Sequence, residues 1–301
     1  EAPVPTSYVL VTAAYNEEQF IAQTIEAVIA QTVLPKKWVI VSDASSDSTD
    51  QIVQSYAQRH PFIHLHRIVE AHPRNFAAQV NAINAGHACL AGLDFAFIGN
   101  LDADVAFDPS YFERLLERFI SSPELGLAGG FIHERHRGSF RARPTNSTSA
   151  VAHAVQLFRR ECYDGVGGYT PLKYGGPDWF AEVRARQQGW TVRSYPDLPV
   201  QHFRPTAGAE GVLRGRLRQG RMDYSFGTLP AFELLKCAAR VSERPVLLGA
   251  AARLAAFIFC CLKREPLLVP HDFAHHLRAE QQLRLRAMCS LNFHNPAKQR
   301  G

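Results

Sequence analysis

Between Tyr8 and Leu101 the chain alternates between short apolar runs and segments with helical spacing. The runs are Tyr8-Val9-Leu10-Val11-Thr12, Trp38-Val39-Ile40-Val41-Ser42, Phe62-Ile63-His64-Leu65-His66 and Phe95 to Leu101. Between them, Phe20-Ile21, Ile25 and Val28-Ile29 fall on one helical face. Asp50 to Gln58 reads as a second helix and Asn75 to Leu90 as a third, rich in small residues. Strand and helix in strict alternation predict a parallel, doubly wound sheet with helices on its faces. Such sheets bind ligands in the crevice beyond the carboxyl ends of their strands.

Acidic residues fall where that crevice is expected. Asp43 follows the second strand, Asp102-Ala103-Asp104 follows the fourth, and Glu17 lies just past the first. Ionised carboxylates one residue apart repel, and burial makes the repulsion worse. A divalent cation removes the conflict, and hard oxygen ligands suit Mg²⁺ or Mn²⁺, ions that commonly bridge to phosphates. A solvated Asp-rich turn is the plain alternative, with Asp108 capping the next helix. Core packing alone does not predict three acidic positions on one rim.

After Leu101 the pattern changes. Tyr111 to Ile120 is an amphipathic helix entered through Asp108-Pro109. Leu127 to His133 reads as a strand, and the Arg-, Ser- and Thr-rich stretch Arg135 to Ser149 as a mobile loop. Val155 to Arg160 is a strand or a helix start. Gly175-Gly176-Pro177-Asp178 opens a helix over Trp179 to Gln188, which Gly189 closes. Val192 to Tyr195 reads as a last short strand before the turn Pro196-Asp197-Leu198-Pro199, and the chain beyond Gly208 as helical and basic.

The 33 Lys and Arg against 28 Asp and Glu give a net charge of +5, too mild to indicate nucleic acid. Local basic clusters at Arg135 to Arg143 and Arg214 to Arg221 suit phosphates or an anionic surface, or are solvated faces. Cys89, Cys162, Cys237, Cys260, Cys261 and Cys289 include no C-x-x-C pair, so zinc and a disulfide framework are not indicated and a reducing compartment is expected. Glu1-Ala2-Pro3-Val4-Pro5 reads as an extended leader, and a secretory signal is not expected. The apolar run Pro245 to Leu262, interrupted by Arg253, is short of the roughly 20 residues of a spanning helix and reads as buried or interfacial.

The order of these pieces resembles the family 2 inverting glycosyltransferases of GT-A fold over roughly residues 7–205. The resemblance rests on Thr12-Ala13-Ala14-Tyr15-Asn16-Glu17-Glu18, Val41-Ser42-Asp43 with Asp47-Ser48-Thr49, Asn84-Ala85-Gly86, Asp102-Ala103-Asp104, Gly167-Gly168-Tyr169 and Asp178. It implies a Rossmann-like, mostly parallel sheet flanked by helices. Residues 1–105 form the donor half, 106–207 the acceptor and catalytic half, and 208–301 a helical basic extension. It also implies a nucleotide-diphospho-sugar donor, a UDP- or GDP-sugar. Asp43 matches the carboxylate that reads the nucleobase, which suits an acceptor-only group facing an imide N–H. Ala13, Tyr15 and Glu17 match positions around base and ribose, although the family commonly has Pro where Ala13 stands. Asp104 matches the metal-contacting residue of the D-x-D motif, Asp102 the one facing the ribose or a metal-bound water, Ala103 a donor-binding position between them, and His202 a third metal ligand. Arg74, Arg204 and Arg221 are candidates for phosphate or acceptor contacts. Asp178 matches the catalytic base; Pro177 replaces the Glu that usually precedes it, which leaves acceptor positioning open.

Gln219-Gly220-Arg221 is too short a match to the Q-x-x-R-W signature of processive synthases, so non-processive transfer is expected. The acceptor is expected to be a saccharide or a lipid-linked saccharide in cell-envelope or exopolysaccharide assembly. The expected setting is cytoplasmic, with the inner membrane face open to the basic, apolar C-terminal helices. Two other functions stay open: a nucleotidyltransferase, disfavoured because no Gly-rich basic loop follows the first strand, and a non-catalytic sugar-nucleotide or glycan-binding protein. A dinucleotide oxidoreductase is disfavoured because no G-x-G-x-x-G follows a strand.

Overall fold

The computed structural model describes residues 6–69, 76–136, 138–204, 211–243 and 245–293. The chain divides into two compact units, Glu1–Pro205 and Thr206–Gly301.

The first unit begins as predicted. Strands β1 (Tyr8–Ala14), β2 (Lys37–Asp43), β3 (Ile63–Ile68) and β4 (Phe97–Leu101) are linked by α1 (Ile21–Ile29), α2 (Thr49–Ala57) and α3 (Phe76–Ala88). They pair in parallel in the order β3-β2-β1-β4. Both faces of β1 and β2 are buried, which is why their sequences are continuous apolar runs rather than alternating ones. Helix α3 lies very close to this sheet. A Cβ on Gly86 would stand 2.5 Å from Val11 Cγ1 and 2.8 Å from Val41 Cγ2.

The second half of this unit adds β5 (Val105–Phe107), α4 (Tyr111–Ser121), β6 (Leu125–His136), β7 (Ser139–Ala142), β8 (Val155–Arg159), α5 (Arg160–Val166), α6 (Pro177–Gln187) and β9 (Thr191–His202). The whole sheet runs β3-β2-β1-β4-β8-β6-β9-β5, with β7 on β6. β8 is antiparallel to both β4 and β6, β9 is parallel to β6, and β5 is antiparallel to β9. Aromatic residues of α4 fill the space beneath: Phe112 stacks on Tyr8 at 4.7 Å, and Phe107 meets Phe112 edge-on at 5.3 Å.

Three details differ from the sequence expectation. Ser139–Ala142 is a strand hairpinned onto β6, where a mobile loop was expected. Val105–Phe107 is a strand too short to announce itself. β9 also continues through the expected turn: Tyr195 pairs with Gly130, and the next pair is Pro199 with Phe131. Residues 196–198 therefore bulge out of the ladder, which accommodates Pro196 without breaking the strand. Gly130 makes room for that bulge, since a Cβ there would stand only 1.9 Å from the Leu198 carbonyl oxygen.

The second unit comprises α7 (Val212–Ser225), α8 (Pro230–Ala239), α9 (Leu248–Lys263) and α10 (His271–Phe293). The apolar run Pro245 to Leu262 is thus mostly α9. Arg253, which interrupts it, points into the unit and is buried with Asp223 and Glu233, its Nε lying 2.7 Å from Glu233 Oε1. Lys236 joins the cluster at 2.5 Å from Asp223. Each buried charge here has an opposite partner, the condition under which burial is tolerated. Among the described residues no helix is long and apolar enough to cross a membrane. Cys162, Cys237 and Cys260 are buried free thiols, packing as small hydrophobes.

Candidate active site

The parallel half of the sheet delivers its strand ends to one rim, and side chains of the following turns lock that rim. After β1, Asn16 takes a left-handed conformation (φ 53°), and after β2 Ala44 does the same (φ 54°). The two turns bind each other. Asn16 Oδ1 accepts the Ser46 N–H at 2.8 Å, Asp47 Oδ2 accepts the Glu18 N–H at 3.1 Å, and Glu18 Oε2 accepts the Ser48 N–H at 3.0 Å. Thr49 Oγ1 accepts the Glu17 N–H at 2.8 Å. Much of the polar sequence Asn16-Glu17-Glu18 and Asp47-Ser48-Thr49 is therefore used to fix the crevice wall.

That wall encloses a cavity of about 260 Å³. Ala13, Tyr15, Glu17 and Asp43 line it, with Ala78, Gln79 and Ala82 of α3 and Arg204 from beyond β9. Asp43 is buried at the end of β2, while Tyr15 keeps 40% of its surface exposed. Arg204 grips Glu17 with a two-pronged contact, Nη2 to Oε2 at 2.5 Å and Nη1 to Oε1 at 3.2 Å, and stacks 5.4 Å over the Phe20 ring. Burial raises the Glu17 carboxyl above its ordinary value. The Arg204 contact opposes that shift, and the charges of Asp104 and Asp102 add to it.

Arg204 also reaches the D-x-D turn, its Nε 3.7 Å from Asp104 Oδ2. Asp102-Ala103-Asp104 is the tight link between β4 and β5. Ala103 itself is packed inward, its carbonyl accepting the Thr24 hydroxyl at 2.9 Å. β5 pairs with the end of β9, Val105 opposite His202, so His202 is brought to Asp104 with Nε2 at 3.2 Å from Oδ1. Ligand atoms of Asp102, Asp104 and His202 all lie within 4.8 Å of one another. Two donors on one octahedral cation, each at 2.0–2.1 Å, are about 3 Å apart. The Asp104–His202 spacing fits that directly, so two carboxylates and one imidazole stand where they could hold a divalent cation. Burial lowers the His202 pKa, but the hydrogen bond and charge of Asp104, with Asp102 and Glu134, overcome this and raise it above its usual value.

A second histidine stands on the other side of Asp102. His153 Nδ1 is 3.3 Å from Asp102 Oδ1, and the segment carrying it is pinned, Asn100 Nδ2 donating to the His153 carbonyl at 2.7 Å and Asp102 N–H to the Ala154 carbonyl at 2.9 Å. Burial would raise the Asp102 carboxyl, but the hydrogen bond and charge of His153, then His202 and Arg204, hold it below the usual range. His153 moves the opposite way, burial lowering it and Asp102, with Asp178, raising it on balance.

Asp178 occupies the first turn of α6, half-buried, behind Gly175 and Gly176 at φ 85° and 84°. One turn further, Glu182 is buried at 3% exposure and accepts the Val151 N–H at 2.7 Å. Burial and then the Asp178 charge push the Glu182 carboxyl up to about 8. Burial, then Tyr163 and the charges of Asp178 and Asp102, raise the Tyr169 hydroxyl, which donates to Gln156 Oε1 at 2.5 Å. Asn84 fixes the loop ahead of α6, its Nδ2 donating to the Tyr169 carbonyl at 3.2 Å.

A model of glycosyl transferase family 2 matches residues 9–184, which includes every strand end described above except β9. The chain belongs to glycosyltransferase family 2. Among curated relatives of this glycosyltransferase is the poly-beta-1,6-N-acetyl-D-glucosamine synthase of Staphylococcus epidermidis. It is 27% identical over 127 residues, 42% of this chain and 29% of the relative. The synthase of the same name from Staphylococcus aureus is 28% identical over 127 residues, with the same coverage. The match thus spans less than a third of those relatives' length. Among solved structures, a mannosyltransferase from Pyrobaculum calidifontis in complex with GDP-Man and Mn²⁺ has TM-score 0.53 and 16% identity, covering 98% of this chain and 82% of its own. Staphylococcus aureus TarS 1-349 in complex with UDP-GlcNAc has TM-score 0.52 and 13% identity, covering 84% and 71%. At such identities these two report a shared GT-A architecture.

Of the sequence candidates, Ala13, Tyr15, Glu17, Asp43 and Arg204 meet at the cavity, and Asp102, Asp104 and His202 meet beside it. Asp178 stands on α6, close enough for its charge to act on His153. Arg74 lies outside the described residues. Arg221 is exposed on α7 of the second unit. His153 and Glu182 were not anticipated. The signal for Glu182 was its position four residues after Asp178 in a predicted helix, and for His153 its place just before a buried strand.

Proposed function

We propose that this glycosyltransferase is an inverting, divalent-metal-dependent enzyme. It moves a sugar from a nucleotide-diphospho-sugar, a UDP- or GDP-sugar, to a saccharide or lipid-linked acceptor, without processivity, in cell-envelope or exopolysaccharide synthesis. The observation that carries this reading is Arg204, which lines the cavity with Asp43 and Tyr15 and lies 3.7 Å from Asp104. A base-sized cavity and a three-donor cation site are thus neighbours, as a nucleotide diphosphate requires. The printed contents of the solved neighbours, GDP-Man with Mn²⁺ and UDP-GlcNAc, support the donor class, and the synthase relatives support polysaccharide assembly.

Residues 1–105 then hold the donor. Asp43 accepts from the base, Ala13 and Tyr15 flank base and ribose, and Asp102 closes the ribose side, with Ala103 packed into the core behind it. Mg²⁺ or Mn²⁺ would be held by Asp104 and His202 with Asp102, and when bound it supplies positive charge against the diphosphate. Arg204 offers a guanidinium to the same oxygens. Residues 106–207 present the acceptor. Asp178 takes the proton of the acceptor hydroxyl as that oxygen attacks the anomeric carbon opposite the departing nucleotide. His153 orients Asp102 through their hydrogen bond. Glu182, one helical turn further, is neutral below about pH 8. Residues 208–301 are a helical extension.

Titration calorimetry with UDP and GDP, with and without Mn²⁺, tests this. One nucleotide is expected to bind in a Mn²⁺-dependent way, and Asp104→Ala to weaken that binding at least tenfold. Equal affinity in the variant, or binding indifferent to metal in the parent, removes the metal-diphosphate site.

A further inference from the structure

Helix α9 is apolar on two opposite faces. Gly249, Arg253, Ala256, Phe257 and Cys260 face inward and are buried. Leu248, Ala251, Ala255, Ile258 and Leu262, spaced three or four residues apart, form an outward stripe that is exposed throughout. Leu262 is 79% exposed and Leu248 66%. A helix apolar all round is expected to be covered on all sides.

The stripe does not stop at α9. Helix α8 carries a second one, Ala231, Leu234, Leu235 and Ala238, also exposed. Between the helices the connection turns its own apolar residues outward, Val246 at 55% and Leu247 at 62% exposure. Leu247 is held at φ +62°, a conformation costly for a non-glycine residue, and its N–H is tied to the Val241 carbonyl at 2.9 Å. Helix α10 of the same unit is more mixed: His271, Asp272, His275, Arg278 and Arg284 are exposed along it, and Leu283 and Met288 are exposed apolar residues among them.

Charge identifies the occupant. Residues 206–301 contain 15 Lys and Arg against 7 Asp and Glu, whereas residues 1–205 contain 18 against 21. Lys263 and Arg264 close the α9 stripe and are exposed, as are Arg214 and Arg221 on α7. A second copy of the chain would set one cationic unit against another. An apolar face rimmed by cations, on helices that cannot span, fits the interface of an anionic bilayer.

We infer that the outer faces of α8 and α9, with Leu247 and Leu248 at their connection, form a docking surface for an anionic lipid bilayer. The unit lies in the headgroup region with the apolar stripes turned toward the acyl chains and the arginines and lysines toward lipid phosphate. This does not depend on the reading of the active site, since neither donor nor acceptor takes part.

Flotation of the chain with unilamellar vesicles tests it. The protein is expected to rise with vesicles of phosphatidylcholine and phosphatidylglycerol at 3:1 and to remain below with phosphatidylcholine alone. Leu247→Ser combined with Leu248→Ser should lower the bound fraction at least tenfold. Leu283→Ser, an exposed leucine on α10, should change it less than twofold. Thermal melting of each variant confirms that it is folded. The inference is overturned if the parent fails to float, if the double variant floats like the parent, or if sedimentation shows a parent dimer that the double variant makes monomeric.

Discussion

Asp178 and Glu182 are carboxyl groups one helical turn apart, in different surroundings. Asp178 stands half-buried at the helix N-terminus, where the macrodipole favours a carboxylate. Glu182 is enclosed and neutral up to about pH 8. Asp178→Asn is expected to keep donor and metal binding and to lose turnover by a factor of about 10²–10⁴, the usual contribution of a general base; single-turnover transfer assays with calorimetry check both halves. For Glu182, an acid whose native pKa lies above its unfolded value binds more protons when folded, so stability falls as pH rises from about 4.5 to about 8. Glu182→Gln keeps an oxygen for the Val151 N–H and removes the Glu182 share of that fall. Urea midpoints at pH 5 and pH 8 should differ less in the variant than in the parent, the raised His153 and His202 still titrating in both, and an equal difference in both refutes a neutral Glu182. For His202 the quantity that moves with pH is metal affinity. The His202 pKa is raised above 6.5, so a cation must displace a proton there over a wider range than at an ordinary histidine. Mn²⁺ affinity should therefore fall as pH is lowered from about 8 to about 6, and calorimetry across that range measures the slope. Asp43, Asp102, Asp104 and Asp178 were legible because each follows a recognisable strand or opens a helix. His153 and Glu182 were not, because their partners, Asp102 and Val151, come from other parts of the chain.

At the scale of elements, legibility followed burial. β1, β2 and β4 are buried on both faces and read as apolar runs with clear ends. β5 and β7 are short, β7 is largely exposed, and neither has a pattern that a local window distinguishes from loop. β9 was truncated in the sequence reading because Pro196 and Pro199 ordinarily end a strand. Only the partner strand shows that residues 196–198 bulge and that pairing resumes. The extra length matters, because it is the second half of β9 that carries His202 to the D-x-D turn. Helix α3 poses a different constraint. Its contact with β1 and β2 depends on Gly86, and Gly86→Ala would drive a methyl to within 2.5 Å of Val11. Overpacking of this kind costs about 1–3 kcal/mol, which urea denaturation will register. Because Ala78, Gln79 and Ala82 on the same helix line the cavity, the variant should also weaken nucleotide binding.

Across the whole molecule, charge is distributed unevenly. The unit that carries the carboxylate-rich site has a slight acidic excess, and the helical unit carries more than the chain's entire net positive charge. Raising NaCl from 0.1 to 1 M shortens the Debye length from about 10 Å to about 3 Å. Vesicle association should therefore drop steeply but not vanish, since the leucines remain, and flotation at the two salt concentrations separates the contributions. The fold of the first unit was legible as a class because strand–helix alternation is a local signal repeated many times. The exposed faces of α8 and α9 were not, because a sequence shows that a residue is apolar and not whether anything covers it. One further consequence follows from the pairing of Val105 with His202 and of the Phe203 N–H with the Asp104 carbonyl at 2.9 Å. Asp102 and Asp104 leave the ribosome long before β9 does, so for much of synthesis they are two carboxylates with no histidine between them and solvent. Pairings between distant segments form late. A cation that binds only the finished arrangement favours it by mass action. In this chain it would act as an inspector of assembly, retained only by molecules whose last strand has reached its place.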